Sequence, residues 1–191
     1  TIIANLNYSI LEYDYKFCKY RSPEKHFFTE NLECDCHQTE LGDLVSTFFH
    51  GAHKLWFMSE KQLDRYYEKF PTLRNVNCSV LSSVFDDSFF VKVKDLREKY
   101  KNHDRKGWIV LGSGSWVKGY EDAEKWCIEN SLEYEVIEKL PYGEVLEKMA
   151  QSEGFVYLPR GGDTCPRMVI EAKLLGCKLH INDNVEHAKE E

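Results

Sequence analysis

Residues 155–176, FVYLPRGGDTCPRMVIEAKLLG, constrain this chain more than any other stretch, because they compress a strand, a glycine loop and a helix start into one unit. Phe155 to Leu158 is a short apolar run suited to a strand buried on both faces, and Pro159 stops it. Gly161 and Gly162 let the backbone turn freely and approach a ligand closely. Thr164 is placed to cap a helix with Pro166 in its first turn, and Gly176 is placed to end it. Such a unit presents unpaired N–H groups and the positive end of a helix dipole, which together receive phosphates.

Charge sharpens this expectation. Arg160 and Arg167 fall just before and inside the first helical turn, where a cation is disfavoured unless an anionic ligand reverses the sign. Asp163 and Glu171 are separated by roughly 12 Å at a helical rise of about 1.5 Å per residue, comparable to the span between the two sugar rings of a nucleotide sugar. The local alternative is an Arg167–Glu171 surface pair with Asp163 as an ordinary cap.

The net charge of −7 over 191 residues argues against nucleic acid as a partner. No apolar run of about 18 residues and no signal-peptide pattern occurs, so no membrane-spanning helix is expected. Seven cysteines, an odd number scattered through apolar runs, fit a reduced, cytoplasmic chain better than a disulfide scaffold. The sequence opens at Thr1 with a strand-like Ile2 to Leu6 and reads as a segment of something longer.

Along the chain, Lys54 to Met58, a helix after the Ser59 cap, and Asn77 to Ser82 form a strand, helix and strand, the signature of a parallel α/β layer. A helix is expected over 41–52. The polar Asp86, Asp87 and Ser88 cluster marks a boundary, followed by a short helix at 93–100. From Gly107 the alternation is clean: strands at 108–111, 134–137, 155–158 and 178–181, with helices between. The expected fold is therefore α/β, a doubly wound, Rossmann-like parallel sheet with ligands at the carboxyl ends of its strands. The expected organisation is residues 1–85 as one domain, 86–106 as a linker and 107–191 as a nucleotide-binding domain. The loop Gly112 to Gly119 is neither a G-x-G-x-x-G fingerprint nor a P-loop.

Cys34, Cys36 and His37 share a polar loop, and with Cys18 and His26 upstream a zinc site can be drawn. The C-x-C spacing is unusual for structural zinc, which favours packed free thiols.

The order of these features resembles the GT-B glycosyltransferases, specifically the retaining type called family 4. The carrying residues are the glycine loop ending Lys118-Gly119, the Leu140-Pro141-Tyr142 turn, the strand running into Pro159, and the acid-x7-acid helix that continues Glu171-Ala172 to Gly176. Tyr13-Asp14-Tyr15 to Cys18 is similar to that family's H-D-Y-x-x-C segment on the acceptor side. The resemblance implies a retaining transfer from a nucleoside-diphosphate sugar to an acceptor glycan, lipid-linked molecule or small molecule, with residues 1–85 the tail of the acceptor domain. It implies Asp163, Lys118 and Asp14 at the reacting centre. Donor contacts would come from Gly112, Ser113, Gly114, Tyr142, Arg160, Gly161, Gly162, Thr164, Arg167 and Glu171. Lys118 would hold the diphosphate, amides of 161–164 would bind it, Asp163 would meet the sugar and Glu171 the ribose. No metal or other cofactor is implied, and peripheral membrane association is compatible with it. Three positions depart from the family pattern: Ser113 for arginine, Asp163 for glutamate and Tyr13 for histidine. The alternatives are a non-catalytic nucleotide or nucleotide-sugar binding module, and a zinc-stabilised interaction module over 18–37.

Overall fold

The computed structural model describes residues 6–190, so the strand expected from Ile2 lies almost wholly outside the described residues. The chain divides into two compact units. The first holds the described residues up to Ser83 together with Gly161–Cys165 and the stretch from Val185, and the second holds Val84–Arg160 and Pro166–Asn184. Two short segments of the region expected as one nucleotide-binding domain thus pack with the first unit.

The first unit contains β1 (Ser9–Glu12), α1 (Pro23–Glu30), α2 (Glu40–His50), β2 (Lys54–Phe57), α3 (Glu60–Lys69) and β3 (Cys78–Val80). Its strands pair in parallel in the order β1-β2-β3, with Ser9 opposite Lys54 and Leu55 opposite Cys78. Tyr15, Phe17, Phe49, Phe57 and Tyr66 fill its core. Burying Tyr66 leaves its hydroxyl in need of a partner, and Glu12 supplies one by accepting at 3.0 Å. Glu12 is itself buried and paired with Lys16 Nζ at 2.8 Å. β1 is not among the strands expected from the sequence, because an inward-facing carboxylate interrupts its apolar pattern. Hydroxyl side chains cap α1 and α3: Ser22 Oγ accepts from the Lys25 amide and Ser59 Oγ from the Gln62 amide.

The second unit contains α4 (Asp87–Lys99), β4 (Trp108–Leu111), α5 (Tyr120–Glu129), β5 (Tyr134–Ile137), α6 (Tyr142–Gln151), β6 (Gly154–Tyr157), α7 (Arg167–Leu174) and β7 (Lys178–Ile181). All neighbouring strands are parallel, in the order β5-β4-β6-β7. Strand order reverses between β4 and β6, the crevice where such sheets place ligands. The Asp86 to Ser88 cluster begins an element here, because Asp86 Oδ1 accepts the Phe89 amide at 2.8 Å and caps α4. Most of the stretch expected as linker is therefore helix. Among the described residues no helix is long and apolar enough to cross a membrane.

Candidate functional site

The loops leaving β4 and β6 are joined at the reversal point. The Arg160 amide donates to the Val117 carbonyl at 2.9 Å. Gly119 adopts φ +62° against the Leu158 carbonyl, where a Cβ would collide. Lys118 Nζ lies 5.8 Å from the centre of the Tyr157 ring. Ser113 Oγ accepts the Ser115 amide at 3.2 Å and shapes the loop from within. A Cβ on Gly112 would come within 2.9 Å of Val136, whereas one on Gly114 would meet open space. Gly112, Ser113, Gly114, Glu121, Glu138 and Arg160 line a cavity of about 510 Å³.

Arg160 does not supply that cavity with a free cation. Its Nε donates to Asp122 Oδ2 at 2.5 Å and its Nη2 to Glu121 Oε2 at 2.9 Å. Both acids sit in the first turn of α5, where the helix dipole favours them. Arg160, expected among the donor contacts, thus has its charge neutralised within the protein.

The second set of groups surrounds Glu171. This carboxylate is almost fully buried on α7, one turn after Arg167, and accepts the Tyr142 hydroxyl at 2.9 Å. Arg167 Nε lies 3.8 Å from the same oxygen, Oε1, so neither contact falls on Oε2. Burial pushes the Glu171 carboxyl above its ordinary range, opposed by the Tyr142 hydroxyl and the Arg167 charge. Burial and the hydrogen bond to Glu171 push the Tyr142 phenol up to about 12. Arg167 also covers the Phe85 ring at 4.6 Å. Tyr142, Arg167, Phe85, Phe89, Lys92 and Asp86 line a cavity of about 710 Å³. Aromatic walls, two cations against one acid and an adjacent buried carboxylate suit a nucleoside with an attached phosphate.

The remaining expected residues lie in the first unit, and several are engaged there. Thr164 does not cap a helix: α7 begins at Arg167 after Pro166, and Thr164 Oγ1 donates to the Tyr13 carbonyl at 2.7 Å. The Gly162 amide, expected to meet a diphosphate, donates to Glu24 Oε2 at 3.2 Å. A Cβ at Gly161 would fall 2.6 Å from Ser22 Oγ, and one at Gly162 would strike Glu186. Here the glycines permit close approach of the protein's own side chains. Asp163 forms an isolated parallel bridge with Val185, outside α7, so helical rise does not set its distance from Glu171. Asp14 Oδ2 accepts from Arg21 Nε at 2.8 Å, while its Oδ1 is buried without a partner among the described residues.

No protein-family profile matches the sequence, and no curated sequence matches it either. Solved structures do. A UDP-forming α,α-trehalose-phosphate synthase from Burkholderia xenovorans superposes with a TM-score of 0.63 at 6% identity, over 97% of this chain and 56% of that one. WaaG, a glycosyltransferase involved in lipopolysaccharide biosynthesis, superposes with a TM-score of 0.56 at 10% identity, over 95% of this chain and 58% of that one. The fold is that of the GT-B glycosyltransferases. The chain spans somewhat over half the length of these GT-B structures.

Within this GT-B chain, sequence reasoning missed the groups that neutralise or wall the expected site. Asp122 and Glu121 were legible as first-turn acids of α5, but nothing local pointed them at Arg160, 38 and 39 residues away. Lys92 was hidden in the supposed linker, and Phe85 was expected in the first domain, whereas both belong to the second unit. Glu24 and Glu186 reach the glycine loop from positions 138 residues before and 24 after Gly162, separations that carry no motif.

Proposed function

We propose that this chain carries the donor-binding layer and part of the acceptor-side layer of a retaining glycosyltransferase that uses a nucleoside-diphosphate sugar. The observation that carries this reading is the buried Glu171 carboxylate beside a cavity containing Arg167, Lys92 and aromatic walls. A buried carboxylate with the Tyr142 hydroxyl and the Arg167 guanidinium both on its Oε1 suits the vicinal hydroxyls of a ribose. Lys118 and the Gly112 to Gly114 loop stand at the sheet's reversal point, where positive charge and backbone amides stabilise a departing diphosphate. Asp163 and Asp14 belong to the transfer step of this reading. The leaving group is a nucleoside diphosphate, so its departure is assisted by protein cations and needs no metal.

A second reading, a binding module of the same fold without turnover, is favoured by the engaged Gly162 amide and the neutralised Arg160. Tyr13, standing where the resembled family has histidine, points the same way. A melting-temperature screen with UDP, GDP, ADP and CMP sugars, with and without EDTA, tests both. A ligand at 100 times its Kd adds about 2.7 kcal/mol of stability. Either reading expects one nucleotide class to raise the melting temperature regardless of EDTA. Hydrolysis or transfer of that donor's sugar identifies the transferase, stabilisation without turnover identifies the binding module, and no shift with any nucleotide removes both.

A further inference from the structure

We propose that Cys18, His26, Cys34 and Cys36 hold a structural zinc ion in the first unit. The four ligand atoms lie within 4.8 Å of one another, and all four residues are buried. His26 Nδ1 is 3.4 Å from Cys36 Sγ and 3.8 Å from Cys18 Sγ. Tetrahedral zinc, with Zn–S near 2.3 Å and Zn–N near 2.0 Å, requires S···N separations of about 3.5 Å and S···S separations of about 3.8 Å. The two nitrogen–sulfur distances bracket the required value.

The surroundings select the ligating atom of the imidazole. His26 Nε2 faces Glu30 Oε2 at 3.3 Å, and Glu30 is held by Lys19 Nζ at 2.5 Å and by the Tyr20 hydroxyl at 2.8 Å. A histidine that donates one ring N–H to a carboxylate presents the other nitrogen to a metal, and such partners orient the ring and strengthen the ligand. Here Nδ1 is directed at the thiols. Three thiolates and a neutral imidazole also match the preference of zinc for sulfur and nitrogen, and burial leaves no open position for a water or substrate. Binding releases three thiol protons and leaves the cluster with a net charge of −1.

Packing alone accounts poorly for this arrangement. All three cysteines are free thiols, and only one S–H can donate to Nδ1, so that buried nitrogen would gain a single weak partner. Arg21, between Cys18 and His26, also adopts φ +57°. Left-handed residues other than glycine persist when the surroundings over-determine them. His37 is excluded from the cluster; its ring packs edge-on against Phe17 and Phe70.

The ion would fix the segment that supports the glycine loop. Ser22 and Glu24 lie between the first two ligands, Ser22 meets Gly161, and Glu24 accepts the Gly162 amide. Zinc removal should therefore loosen Gly161–Cys165 as well as α1.

The test uses the full 191-residue chain, produced with zinc under reducing conditions and desalted without chelator. Metal analysis should find equimolar zinc, and cobalt substitution should give the visible absorption of a tetrahedral thiolate site. Cys36→Ser should hold zinc weaker by on the order of tenfold or more in competition with a chelator, whereas His37→Gln should bind as the wild type does. Glu30→Gln should lower affinity by about 10–100-fold while still filling at saturating zinc, which a purely structural Glu30 would not do. If Cys36→Ser fails to fold, the wild-type cobalt spectrum decides alone. Wild-type protein without zinc after supplementation, a disulfide among these cysteines, or full retention of zinc by a folded Cys36→Ser variant would overturn the proposal.

Discussion

Replacing Gly119 with alanine should cost the second unit about 3 to 5 kcal/mol, combining a left-handed backbone with a collision that side-chain rotation cannot relieve. The added Cβ would overlap the Leu158 carbonyl and come within 3.2 Å of Pro159 Cα, both of them backbone. Retreat of either loop would break the Arg160 amide bond to Val117, which joins the β4 and β6 loops at the strand reversal. Three of the four tryptophans, Trp108, Trp116 and Trp126, lie in this unit, so urea unfolding followed by tryptophan fluorescence reports on it. Gly114→Ala is the control: its Cβ meets nothing within 4 Å, and the change should stay within about 0.5 kcal/mol. A Gly119→Ala protein as stable as the control would show that the two loops are not locked together.

Glu171→Gln should separate stability from binding. Burial raises the carboxyl's pKa in the folded state, so the folded protein binds the proton more tightly than the unfolded chain does. Its contribution to stability is present below the ordinary glutamate value of 4.5 and is lost as pH rises through the raised folded value. At neutral pH the buried charge is therefore unfavourable. Glutamine keeps an acceptor for the Tyr142 hydroxyl and removes the charge, so the ligand-free variant should melt at or slightly above the wild-type temperature, with a flatter pH dependence. Loss of the Arg167 contact subtracts little, since that guanidinium is about half exposed. Nucleotide affinity should move the other way. A charge-assisted acceptor contributes roughly 1.5 to 3 kcal/mol and a neutral one about half of that, so the replacement should weaken binding about 5- to 10-fold. Calorimetric titration and thermal melts on the same preparation read both quantities. A variant that is destabilised yet binds unchanged would make Glu171 structural.

The alternation of strands and helices was legible because its signal is local. The strands at 108–111, 134–137 and 178–181 fall where apolar runs predict them, and the last helix ends before Gly176 at φ +87°. Elements whose stabilising partners are remote were not legible. β1 turns Glu12 inward to meet Tyr66 from 54 residues away. The start of α4 was obscured for a local reason, because its Asp86 cap sits in a polar cluster that fits a turn equally well. The candidate site divides along the same line. Glu171 and Tyr142 were nameable from their motifs, and the structure joins them directly. The partners of Arg160 and Gly162 came from distant acids, and these changed what those groups are free to do. Among the cysteines, the unusual C-x-C spacing argued for packed thiols, whereas folding brings His26, on a helix the sequence did not reveal, beside them.

The central claim is that a nucleoside diphosphate binds the second unit between the Gly112 loop and Glu171. Titrating the isotopically labelled 191-residue chain with UDP, GDP and ADP, followed by amide NMR shifts, tests it most directly. The account predicts saturable shifts at Gly112 to Gly119, Tyr142 and Arg167 to Glu171 with one of the three. Saturable shifts confined to other segments, or none with any of the nucleotides, would contradict it.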